Sequence, residues 1–359
     1  INLFTPDFKY PQVFRTNLGV DFKLPGGFDA SIEGIYTKTL NNIVYTNINS
    51  DTTVSFYMAG VDNRPVFNRK SIDPTYTEIY LASNTNEGNT YTITGQVAKN
   101  FDFGLNATLA YTYGDAYAVT EGTSSQNSSQ WRGQVHVDGR NFPSYGRSDF
   151  ATGHRVLGTL TYKIDWNSSK NAATTFSLIY EGQKSNPYSY VIGGSGARNL
   201  NNETGSTSRN RSLIYIPNER GDINLVDYKV GTTTITADEQ WTKLNSYIES
   251  DEYLSANRGG YAEKNSNWMP YVSFLDLAIR QDAGLKLGNK MHKLQFSVDV
   301  FNLANLLNPE WGTRYSVIGD FNNFDFLTFE GYEADKKTPR YTYRGTAAND
   351  ANAYNINDF

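Results

Sequence analysis

HKLQFSVDVFNL, residues 292–303, decides how this chain is read. Taken at every second position it separates. Leu294, Phe296, Val298 and Val300 fall on one face; Lys293, Gln295, Ser297 and Asp299 fall on the other. A period of two over about ten residues is a β-strand with one apolar and one wet face. A soluble sheet is built this way, and so is the wall of an outer-membrane barrel, with lipid outside and a polar lumen inside. LDLAIRQD (275–282) repeats the pattern, with Leu275, Leu277 and Ile279 against Asp276, Arg280 and Asp282.

Working outward, the pattern recurs along the chain. Residues 14–24 set Phe14, Leu18, Val20, Phe22 and Leu24 against Arg15, Asn17, Asp21 and Lys23. After the turn Pro25-Gly26-Gly27, Phe28, Ala30, Ile32 and Tyr36 alternate with Asp29, Ser31 and Glu33, and the strand can run on to about Ile48. Strands follow at 91–99 and 103–113 across a short turn at 100–102, then at 154–164 and 174–183 across a moderate one at 165–173. In 103–113 the apolar face is aromatic at both ends and aliphatic between, as a bilayer-facing strand requires. A short turn through 284–291 joins the last pair.

Between the hairpins lie long polar stretches, 49–89, 114–153 and 184–270, far beyond ordinary loop lengths. The last carries the one clear helix: Thr236 and Glu239 have capping-box spacing, and Trp241, Leu244, Tyr247 and Ile248 recur at helical intervals. About eight strands in four hairpins, with connections alternating short and long, give the asymmetry of outer-membrane barrels, short turns periplasmic and long loops outside. The expected fold is all-β: part of a large antiparallel transmembrane β-barrel with long extracellular loops, one of them carrying a short helix. Residues 1–303 supply the strands and loops, and 304–359 an irregular extracellular loop.

Composition agrees. There are 359 residues, 38% hydrophobic, with a mean hydropathy of −0.55, and no run of about 18 apolar residues that would make a membrane helix. A barrel hides its apolar residues at alternate positions, so this excludes helical spans only. Aromatics make up 14%, including 26 Tyr, which suits interface girdles or a saccharide- or peptide-binding surface. A net charge of −5 without a basic tract gives nucleic acid no footing. The absence of Cys removes disulfides and thiolate metal sites.

Several segments together resemble the TonB-dependent receptors, and within them the Oar-like subgroup. VDVFNLANLLNPEWG (298–312) looks like the family's penultimate strand, where an Asn-Leu-x-Asn element closes an apolar alternating run. SLIYIPNERGDINLVDY (212–228), ADEQWTKLNSYIESDEYL (237–254) and RGGYAEKNSNWMPYVSFLDLAIRQD (258–282) are similar to the subgroup. So are SSQNSSQWR (124–132), GHRVLGTLTYK (153–163) and FSLIYEGQKSNPYSY (176–190). The resemblance implies a 22-stranded barrel around an N-terminal plug, with a plug-side motif that contacts TonB and couples uptake to the proton gradient. It makes this chain the C-terminal part, about strands 14 to 21, with the plug and last strand outside it. An open sheet edge in lipid costs several kcal/mol per unpaired group, so neighbouring strands are expected. Closure of these eight on themselves would strain a narrow rim under such loops.

The partners implied are outer-membrane lipid, the plug and remaining strands, TonB, and a surface lipoprotein; the location is a Gram-negative outer membrane. Candidate ligand- or partner-contacting loop residues are Trp241, Tyr247, Tyr253, Arg258 and Tyr261, although Trp241, Leu244 and Ile248 read first as the helix's own packing face against the barrel rim. Candidate lumen- or plug-facing residues are Arg15, Asp21, Lys23, Glu33, Arg155, Lys163, Arg280, Asp282 and Asp299.

No catalytic, cofactor or metal site is read. His136, His154 and His292 lie apart; IGGSGAR (192–198) lacks the phosphate-loop ending and reads as a flexible extracellular loop; Glu249, Asp251 and Glu252 read as a solvated helix end. Three functions compete: an energised importer, a passive porin-like or adhesion scaffold, and a soluble β-rich saccharide-binding protein or hydrolase.

Overall fold

The computed structural model describes residues 1–166, 171–194, 200–205, 211–317, 319–320, 322–345 and 354–357. Eight long strands form one antiparallel wall in sequence order: β1 (Gln12–Leu24), β2 (Phe28–Asn47), β3 (Gly88–Asn100), β4 (Leu105–Ala118), β5 (Gly153–Asp165), β6 (Ala172–Lys184), β7 (Tyr271–Leu287) and β8 (Lys290–Val300). Each of the expected strands is present. Two turns differ from their sequence-based placement. The last pair stays in register down to Leu287↔Lys290, so the turn shrinks from 284–291 to 288–289, where Gly288 takes φ +61°. The turn expected at 100–102 falls instead at 101–104. There Gly104 (φ +90°) lies against the Lys163 carbonyl, which a Cβ would approach to 2.6 Å.

Register turns the alternation of single strands into two continuous faces. Leu105, Tyr162, Phe176, Ile279 and Val298 form one row across β4 to β8. On the opposite face, Lys163, Thr175, Arg280 and Ser297 form another. The apolar face is bare: Leu294, Phe296 and Val298 are 55%, 67% and 60% exposed, and none belongs to a packed core. Aromatic rings edge it at both ends. Near the short turns Phe103 touches Phe101 and Tyr162; near the long loops Tyr113 touches Tyr91 and His154. From Leu105 to Tyr113 is about 27 Å of strand. At a barrel tilt of about 40° that becomes about 20 Å of height, most of the roughly 25 Å apolar band of an outer-membrane wall, with the ring of Phe103 in the turn below it.

The long connections are not loose. They fold together, with the segment after β8, into a cap that has its own core. Met58 and Val66 come from the first long loop and Tyr188, Tyr190, Ile214, Leu244 and Ile248 from the third, while Phe324, Phe326, Leu327 and Tyr341 follow β8; all are buried in one cluster. Val135 of the second loop joins Val191 and Leu213 in a smaller one. Its central strand, Pro187–Gly193, is buried at every residue and runs parallel to Asn323–Tyr332. Residues 304–359, expected to be irregular, thus contribute a central cap strand. The IGGSGAR expectation changes in the same way. Ile192 and Gly193 belong to the buried strand, whereas 195–198 lie outside the described residues.

The helix α1 (Ala237–Ser250) starts where its capping box places it. Thr236 Oγ1 accepts from the Glu239 amide at 3.3 Å and Glu239 Oε2 from the Thr236 amide at 2.7 Å. Those bonds hold the Glu239 carboxyl below its usual range.

Candidate functional site

All nine lumen candidates fall on the wall's polar face, as the register dictates. Arg155 Nε and Nη2 both donate to Glu181 Oε1, at 3.0 and 2.7 Å, across β5 and β6. Lys23 meets Asp29 at 2.7 Å and Lys163 meets Asp165 at 2.9 Å. Arg15 donates to Thr37 Oγ1, and Asp282 accepts from Gln295. Hydroxyls pair between the charges, Thr94 with Thr112 and Thr161 with Ser177. Ion pairs this exposed contribute little to stability, because water and salt screen them. The wall does not need them to fold. They make a hydrated, two-signed surface able to exchange hydrogen bonds with whatever fills the lumen.

At the rim, where the cap meets the wall, lies a cavity of about 670 Å³. Thr120, Glu121, Gln130, Arg211, Lys264 and Asn322 are among the residues that line it. Its floor is a buried polar network. Lys264, 4% exposed, donates to Glu121 Oε1 at 2.7 Å and to the Ala118 carbonyl at 3.0 Å, and Ser148 Oγ donates to Glu121 Oε2 at 2.6 Å. Asn265 Nδ2 donates to Asp149 Oδ1 and to the Arg147 carbonyl, and Arg147 is paired with Asp115 at the end of β4. Amides, hydroxyls and paired charges suit a polar ligand held by many hydrogen bonds. Sequence reasoning passed over Lys264 and Glu121, because two charges 143 residues apart give no local signal.

Three of the loop candidates, Trp241, Tyr247 and Tyr253, share the cap core, while Arg258 and Tyr261 make separate contacts within the cap. Tyr247 is buried against Tyr190, Phe324 and Phe326, and Trp241 and Tyr253 pack on the same core. Tyr253 Oη accepts from the Glu263 amide. Arg258 donates to the carbonyls of Pro217 and Asn218 and to Asn245 Oδ1, tying α1 to the preceding loop. Tyr261 Oη donates to Asp62 Oδ1 at 3.0 Å, and its ring lies 5.1 Å from the Arg64 guanidinium. Burial and the Asp62 charge raise the Tyr261 phenol above its usual range. In this arrangement the five side chains brace the cap internally.

The acidic cluster also proves structural at its centre. Asp251 Oδ1 caps the helix Glu252–Ala256 through the Leu254 amide, and Oδ2 accepts from Tyr190 Oη and Asn267 Nδ2, both at 2.6 Å. Glu249 and Glu252 are exposed. Among the described residues no group of three or more His, Cys, Asp or Glu is placed to hold a metal.

Compared with known proteins, residues 1–320 match a family model described as an outer membrane beta barrel domain. No curated protein and no solved structure matches the chain.

Proposed function

Because this chain belongs to the outer membrane beta barrel domain family, and so resides in the outer membrane of a Gram-negative bacterium, we propose that it forms wall and cap of a TonB-dependent importer. The observation that carries this reading is the polar face: eight strands wide and studded with both charge signs, a surface suited to a hydrated filling rather than to a dry core. β1 and β8 each have one strand partner among the described residues. An edge in hydrocarbon must be paired, so the reading adds further wall strands beside them. The Oar-like resemblance of the loop segments supports the same assignment. In it the cap captures cargo at the rim cavity, a lipoprotein can seat on the cap, and the wall's charges hold the plug.

Planar-bilayer recording of the whole protein tests this. A plugged importer stays nearly silent, and uptake in cells stops when the proton gradient is collapsed. Steady conductance without TonB, or uptake indifferent to a protonophore, would overturn the importer and leave a passive pore.

A further inference from the structure

The apolar face of the wall is not uniform. Over β3 to β6 it sinks into a groove of about 480 Å³, lined by Val97, Ala107, Leu109, Gly158, Leu160 and Tyr180 among others. Two small residues on the lipid-facing register, Ala107 and Gly158, make the depression, and larger ones stand round it. At its lower end, beside the short 101–104 turn, one cation lines the same groove. Lys99 Nζ lies 4.6 Å from the ring centroids of both Phe28 and Phe101. Lys99 shares the lipid-facing row with Val97 and Ala107, so its charge sits on the outside of the wall.

We infer that this groove binds one phospholipid of the periplasmic leaflet, an acyl chain lying over Gly158 and the phosphate meeting Lys99. Charge complementarity selects the occupant. A cation with an apolar stem, clamped by rings at headgroup height, is placed for an anionic phosphate and not for a chain alone. The volume falls within the roughly 300–1,000 Å³ of ordinary ligand sites. The height follows from the short turns' periplasmic side. The inference stands whether or not the barrel imports anything.

Native mass spectrometry of the purified whole protein in detergent tests it, with phosphatidylglycerol, diacylglycerol of the same chains, or inorganic phosphate added after delipidation. One phosphatidylglycerol should be retained over diacylglycerol, and phosphate alone should not bind. Lys99→Ala should weaken retention about fivefold, the effect of one cation near a headgroup. Gly158→Leu should abolish it. A Cβ at Gly158 has only ordinary contacts, 3.8 Å to Tyr180 and 3.9 Å to Leu109, so the wall accommodates the change. Heat-modifiable gel mobility reports folding of both variants. Equal retention of diacylglycerol, or unchanged retention in both folded variants, would overturn the site.

Discussion

His136 is kept neutral by its surroundings. Its side chain is fully buried, Nδ1 accepts from the Gly139 amide at 3.1 Å, and Nε2 has no hydrogen-bond partner among the described residues. Burial first, then the Arg140 and Arg64 guanidiniums, push its pKa well below 6.5. The unfolded cap therefore takes up this proton before the folded one. The stabilisation is complete above about pH 7 and declines below the unfolded value, by up to about 1.4 kcal/mol per pH unit, until the folded imidazole itself protonates. The cap's urea midpoint should fall between about pH 7 and pH 5. His136→Asn, which keeps an acceptor toward Gly139, should flatten that dependence. An equally steep profile in the variant would place the proton uptake elsewhere.

Asn302 gives a second case at this scale. It takes φ +53° two residues past the end of β8, its amide donates to Asp276 Oδ1 at 2.7 Å, and its side chain donates to the Gly312 carbonyl. Gly312 (φ +65°) leaves the space that side chain fills; a Cβ there would overlap the Asn302 amide. Asn305 closes the knot on Pro309 and Trp311. The Asn-Leu-x-Asn element is thus a hydrogen-bonded stop that ends the strand. Gly312→Ala should destabilise it by about 2 kcal/mol or more, left-handed strain alone accounting for about 1–2. Amide exchange confined to 301–313 would show this, and unchanged protection there would refute it.

Among the elements, β8 carries the sharpest test of the face assignment. Val298 stands opposite Ile279 on the apolar face, and Ser297 opposite Arg280 on the polar one. Val298→Arg should impair assembly by about 2–4 kcal/mol near the bilayer midplane, and Ser297→Arg far less. Equal tolerance in a folding assay from urea into lipid would remove the distinction between faces. The wall strands were legible in the sequence for the same reason. One face touches hydrocarbon for the strand's whole membrane height, so every second residue answers to a single solvent. The strand Pro187–Gly193 was not, because both of its faces are covered and PYSYVIG has no period. Its partner Asn323–Tyr332 lies more than a hundred residues away. α1 could be read because a capping box and a helical stripe are local. The roles of its residues could not, since Tyr247 and Trp241 look alike whether they face a ligand or the aromatic cluster that covers them.

At the scale of the molecule, wall and cap are stabilised by different solvents. The wall's apolar face gains from lipid and its backbone from the ladder between strands; the cap's core is assembled in water from two long loops and the segment after β8. Structures held by separate cores open separately. Trp131, fully buried, and Trp241 report on the cap, while Trp166 and Trp311 are already more than half exposed. In rising urea the tryptophan emission should shift red before the barrel loses its heat-modifiable gel mobility. Leu244, fully buried in the cap core, separates the two events. Leu244→Ala should lower the first transition by about 2–5 kcal/mol and leave the second in place. One coincident transition, or a second midpoint that moves with the first, would mean that cap and wall form a single cooperative unit.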